Sequence, residues 1–137
     1  MTWEHFSHEA DMGVRGRGST LAEAFGEVAR ALTGVVADPE AVRATEPVSI
    51  ECDAEDPDVL LFEWLNELVY EMATRRLLFS RFDVTIADGR LRATAWGEPI
   101  DLERHGPAVE VKGATWTALR VDQDADGLWT AECVVDV

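Results

Sequence analysis

The sequence predicts an α+β fold, and three observations carry that prediction. Two segments space their apolar residues as helices do. A single strand-like run separates them, and everything after the second reads as paired strands.

The elements follow in order. "TWEHFSHEADMGVRGRG" reads as strand, short loop, strand. "STLAEAFGEVARALTGVV" is a helix: Thr20 can cap it, Glu23 three residues on completes a capping box, and Leu21, Phe25, Val28 and Leu32 share one face. Pro39 and Pro47 bracket a loop, and "VSIEC" is a short strand. "EDPDVLLFEWLNELVYEMATRR" is the strongest helix. Asp56 before Pro57 makes a good start, and Leu60, Leu61, Trp64, Leu65, Leu68, Val69 and Met72 form one apolar stripe. Glu63, Glu67 and Glu71 line the opposite face and read as solvated surface. "FDVTIADGRLRATAWGE" is a hairpin turning at Asp88-Gly89. "PIDLERHGP" reads as a loop, and "AVEVKGATWTALRVD" with "GLWTAECVVDV" as a second hairpin. No repeat or linker interrupts the 137 residues, so one domain over 1–137 is expected.

Composition narrows the function. The net charge of −15 repels phosphate backbones, so no direct binding of nucleic acid is expected; it favours cations or a basic partner surface. No apolar run is long enough to span a membrane, and the N-terminus lacks the pattern of a signal peptide. Cys52 and Cys133 sit in strand-like runs and read as reduced core residues, which points to the cytoplasm.

An acidic chain raises the question of a cation site. "DQDADG", Asp122 to Gly127, imitates the start of a calcium loop. The twelfth position, which needs a bidentate glutamate, is Cys133, and the flanks are strands, so a polar hairpin turn is the simpler reading. Two other acids stand out. Asp11 lies where the first strand breaks, with Gly13 suggesting a tight backbone turn close by. Asp136 follows the apolar run Val134-Val135. Together with the backbone carboxylate of Val137 they suit a hard cation; alternatively, Asp11 is a turn residue and Asp136 a solvated tail charge. His8 lies three residues before Asp11. Glu98, Asp101 and His105 share one loop. Lys112, the only lysine beside eleven arginines, is either an edge-strand charge or a cation balancing carboxylates. No nucleophile elbow, phosphate loop, dinucleotide fingerprint or paired CxxC is present. The pattern therefore gives no catalytic residues and no case for an enzyme.

Several segments, taken in order over nearly the whole chain, resemble the archease family: "HEADMGVRGRGSTLAEAF", "WLNELVY", "LLFSRF", "ATAWGEPIDLERH", "EVKGATW" and "VVDV". The resemblance implies a compact two-layer sandwich, with two helices on a mixed, largely antiparallel sheet. It implies an accessory protein that activates an RtcB-type RNA ligase in tRNA splicing and RNA repair, promoting guanylylation and multiple turnover. It also implies a metal site at Asp11, Asp136 and Val137, with calcium the usual ion and magnesium or manganese as substitutes. Lys112 would be the family's conserved lysine, amid a polar cluster of His8, Glu98, Asp101 and His105. Glu9 and Gly113 depart from the family pattern, which has threonine and alanine there. Two other readings stay open: a chaperone or modulator of an RNA-modifying enzyme such as a tRNA methyltransferase, and a small metal-dependent hydrolase centred on Asp11, Asp136 and His8.

Overall fold

The computed structural model describes residues 1–137. The expected α+β class holds, and the strands divide into two sheets in which every pairing is antiparallel. The first sheet contains β1 (Thr2–His8), β2 (Asp11–Gly18) and β8 (Trp129–Asp136), with β6 (Gly113–Ala114) and β7 (Arg120–Gln123) both pairing on the far edge of β8. The second is β3 (Glu46–Asp53), β5 (Arg90–Pro99) and β4 (Leu77–Ala87), in that order. Helices α1 (Leu21–Val36) and α2 (Pro57–Arg75) each touch strands of both sheets, so one apolar cluster of 29 buried residues joins the two.

Local chemistry starts both helices. Thr20 Oγ1 accepts the backbone N–H of Glu23 at 3.1 Å, as a cap should. The capping box is only half made: the Glu23 carboxylate takes the Ser19 hydroxyl at 2.7 Å instead of reaching back to the cap. The carboxylate of Asp56 accepts from Asp58 N–H, and Pro57 supplies the first turn of α2. All seven residues of the α2 stripe are buried, including Trp64, whose Nε1–H donates to the Phe25 carbonyl of α1 at 3.0 Å.

Alternation in β2 decides how closely α1 can lie. Val14 and Gly16 face the helix, while Arg15 and Arg17 face away. A Cβ on Gly16 would stand 2.1 Å from the backbone nitrogen of Val28, so the helix rests directly on the strand at that point.

Three local expectations change. The first hairpin turns at Glu9-Ala10, with Glu9 in the left-handed region at φ 52°, and Gly13 lies inside β2. Gly13 is needed because the Phe6 ring lies flat over it; a Cβ there would sit 2.3 Å from that ring. "PIDLERHGP" is not all loop: Leu102–His105 form the one-turn helix α3, capped by Asp101. The long strand expected over 108–122 is split into β6 and β7, because the chain bulges away from β8 around Ala118, at φ 52°. The "DQDADG" turn is closed from within, the Asp124 carboxylate accepting the N–H groups of Asp126 and Leu128.

Candidate metal centre

The outer face of the first sheet, turned away from α1, is organised in rows that run across the strands. The register pairs Glu4 with Arg15, Arg15 with Glu132, and Glu132 with Arg120. The result is a line of alternating charge over four strands. Arg15 Nε lies 3.1 Å from Glu132, Arg15 Nη1 lies 3.1 Å from Glu4, and Arg120 Nη2 lies 2.7 Å from Glu132. Burial by itself would push the Glu132 carboxyl up; the two guanidiniums outweigh it and hold the group below the ordinary carboxylate range. The next row is apolar: Phe6, Gly13 and Val134, with the Arg15 guanidinium 4.6 Å from the centre of the Phe6 ring.

The row after that contains the acids of interest. His8 pairs with Asp11 across the hairpin. Met12 pairs with Val135, so the next position along both strands sets Asp11 beside Asp136. On the other side of β8, Asp136 pairs with Gly113, and its carbonyl accepts the Lys112 N–H at 2.8 Å. Directly opposed residues in an antiparallel ladder have Cα atoms about 4.5–5.5 Å apart and side chains on one face. Carboxylates on such neighbours can reach one cation from the same face. His8 and Asp11 are half-buried, whereas Asp136 and Lys112 are exposed.

The donor set fits a hard divalent ion, because it consists of oxygens. No group of three or more His, Cys, Asp or Glu side chains in the protein is arranged to hold a metal ion by itself. An ion here would therefore be held by the two carboxylates, with backbone oxygens of Val137 and water filling the remaining positions.

The rest of the polar cluster lies in a separate knot. Glu98 and His105 are buried at 7% exposure each. Glu98 accepts the Arg43 N–H at 2.5 Å, pairs with the Arg104 guanidinium, and lies 3.2 Å from His105 Nε2. His105 Nδ1 accepts the Asp101 N–H at 2.8 Å, so Nε2 carries the proton that Glu98 receives. The Asp101 carboxylate accepts the N–H groups of Glu103 and Arg104 and caps α3. These three residues satisfy one another and brace the loop; none of them joins the acids of the outer face. Periodicity gave no sign of the knot, since its members come from a strand end, a one-turn helix and a loop.

Burial tends to raise the Glu98 carboxyl, and the Arg43 N–H, Arg104 and His105 overcome it, holding the group down to about 2. A carboxylate depressed on folding stabilises the protein above its unfolded value near pH 4.5, and that contribution is lost as pH falls towards 2. The Glu98→Gln protein is expected to lose about 2 kcal/mol at pH 7 and to show a shallower fall in stability between pH 5 and 2. Urea midpoints across pH for both proteins check this; parallel curves would contradict it.

The thiols do not add a reactive group. Burial pushes Cys133 up to about 12 and Cys52 up to about 11, so both stay protonated and unpaired.

Comparison with known proteins agrees with this architecture. Residues 3–137 match the model of the Archease protein family (MTH1598/TM1083). The chain is 40% identical to the protein archease of Pyrococcus furiosus over 139 residues, covering 98% of each. It is 30% identical to the archease-like protein of Drosophila melanogaster, with 92% of this chain and 83% of that one aligned. The solution structure of Methanobacterium thermoautotrophicum protein 1598 superposes with a TM-score of 0.85 at 37% identity, covering 98% of both chains. A Thermotoga maritima crystal structure, described as an archease and possible chaperone, shares the fold with a TM-score of 0.66 at 18% identity over 96% of this chain and 94% of that one. The chain belongs to the archease family.

Proposed function

We propose that this protein is a non-enzymatic activator of an RtcB-type RNA ligase, promoting guanylylation and repeated turnover in tRNA splicing and RNA repair. In this reading Asp11 and Asp136 hold a divalent cation, calcium in the first instance, with backbone oxygens of Val137 completing the protein's share of ligands. The observation that supports it most is the register, which sets an aspartate of β2 beside one of β8 at a sheet end. Family membership supplies the rest.

The bound ion would supply positive charge that offsets the two carboxylates. The chain's own residues do the remaining work. The strands hold the backbones of Asp11 and Asp136, so only side-chain rotation is needed to bring their carboxylates to one ion. The backbone N–H of Lys112 anchors the Asp136 carbonyl, which leaves the exposed Lys112 ammonium free to meet an anionic group on the partner. His8, across the hairpin from Asp11, limits the space on that side. The net charge of −15 speeds encounter with a basic ligase surface and makes it sensitive to salt.

Two measurements test this. Metal content of purified protein, with and without chelator, is expected to fall in Asp11→Ala and Asp136→Ala, with affinity lower by about tenfold or more. Stimulation of ligase guanylylation by the same variants is expected to fall in parallel. Folded variants that stimulate fully would sink the assignment. A pull-down that recovers an RNA-modifying enzyme in place of a ligase would replace the partner.

A further inference from the structure

Five large hydrophobic side chains are exposed: Met1, Tyr70, Leu102, Val109 and Trp116. Four of these, Tyr70, Leu102, Val109 and Trp116, lie along one seam, where α2 meets the chain from α3 to just past β6. Trp116, 62% exposed, stacks on Phe62 of α2 with ring centres 4.0 Å apart and planes 9° from parallel. One turn along the helix, Asn66 accepts the Ala114 N–H at 2.9 Å and ties β6 to α2. One turn further, on the same face, comes Tyr70, 59% exposed. The seam then opens into a groove of about 720 Å³, walled by Val69 and Ala73 of α2 and by Val109 and Val111, with Leu102 at its rim. Lys112, whose N–H holds Asp136, lies directly between the groove and β6. The apolar strip and the acidic row thus adjoin through a single residue.

We propose that this strip is the docking surface for a basic protein segment, which seats an apolar side chain in the groove and lays an arginine or lysine on the open face of Trp116. Charge selects that occupant. The ion pairs at this end engage Arg75 with Glu71 and Arg104 with Glu98 and Asp101, which leaves Glu103, next to Leu102, and Glu110, in the groove wall, without basic partners. A second copy of the chain would bring another −15 and be repelled, as would nucleic acid. An arginine-bearing segment is attracted by the acids and gains a cation–π contact on the exposed indole. A central apolar anchor in a groove, ringed by charge, is the arrangement in which a few residues carry most of the binding.

The inference rests on the activator reading for the identity of the partner, and its test separates the two. Val109→Asp and Trp116→Ala change exposed side chains outside the acidic row. Binding of the RtcB-type ligase, measured by titration calorimetry, is expected to weaken about tenfold or more in each, with metal content unchanged. Ligase binding that is equal in wild type and both variants overturns the strip while leaving the activator reading in place. If wild-type protein does not bind the ligase, the activator reading fails. The strip is then judged with a synthetic amphipathic Lys/Leu peptide, whose binding must depend on Val109 and Trp116 for the inference to survive. Sedimentation that reveals a dimer abolished by Val109→Asp would overturn it by making a second copy the occupant.

Discussion

Replacing Gly16 with valine is expected to destabilise the fold by more than about 3 kcal/mol, a large share of the roughly 5–15 kcal/mol that holds a domain of this kind together. The new Cβ would meet Val28 N at 2.1 Å, Ala24 O at 2.6 Å and the Glu27 carbonyl carbon at 2.7 Å. All three are backbone atoms of one helix, so no rotamer change relieves the clash and α1 must lift off β2. That shift would open the contacts of Val14, Ala24 and Val28, all fully buried. Alanine makes the same collision with fewer atoms and should cost less. Gly26 is the control. It lies in the middle of α1, and a Cβ there finds only the Phe82 carbonyl, 3.8 Å away. Gly26→Ala is expected to stabilise by about 0.5–1 kcal/mol, because it removes backbone freedom from the unfolded chain. Urea unfolding of the three proteins gives the answer. A Gly16→Ala protein as stable as wild type would refute the close approach of helix and strand.

Trp64→Ala is expected to cost about 4 kcal/mol, in the upper part of the range for large-to-small core changes. Trp64 is fully buried, and its ring meets Phe82 edge-on at 6.1 Å. Its Nε1–H also donates to the Phe25 carbonyl of α1 at 3.0 Å, which ties the two helices together. Truncation leaves a cavity between the helices and removes a second hydrogen bond to a carbonyl already held in the α1 ladder. Trp64→Phe keeps most of the volume and loses the hydrogen bond, so it should fall between the two. The order wild type, Trp64→Phe, Trp64→Ala in denaturant midpoint is the expected result. Both variants lose the hydrogen bond, so a Trp64→Phe protein no more stable than Trp64→Ala would show that lost volume is not the main cost, and the cavity account would be wrong.

The parts of the fold that were legible in the sequence are those fixed by neighbours along the chain. The α2 stripe was readable because burial repeats every 3.6 residues, and the Asp88-Gly89 turn because both residues must take positive φ, as they do at 52° and 73°. The errors arose where distant contacts decide. Gly13 suggested a turn, yet it answers to a ring from the facing strand. The alternating run from 108 to 122 suggested one strand, yet its pairing with β8 is broken by a bulge that no local pattern marks. Helix α3 is too short for periodicity and depends on Glu98 and His105 closing behind it. Of the outer-face rows, only Asp11, His8 and Asp136 stood out in the sequence, and Arg15 and Glu132 did not. Their alignment needs the register of β1, β2 and β8. The exposed strip was invisible for the same reason: Phe62, Tyr70, Val109 and Trp116 come from two segments that only the fold brings together.

The position of β8 has a consequence for how the protein is made. It is made after the seven other strands, yet it pairs with β2 on one side and with β6 and β7 on the other. Until it emerges, β2 offers an open backbone edge and the apolar side of Val14 to any other nascent chain. Prematurely halted chains should therefore be aggregation-prone, and the facing aspartates can come together only after synthesis has reached the strand that carries the second of them.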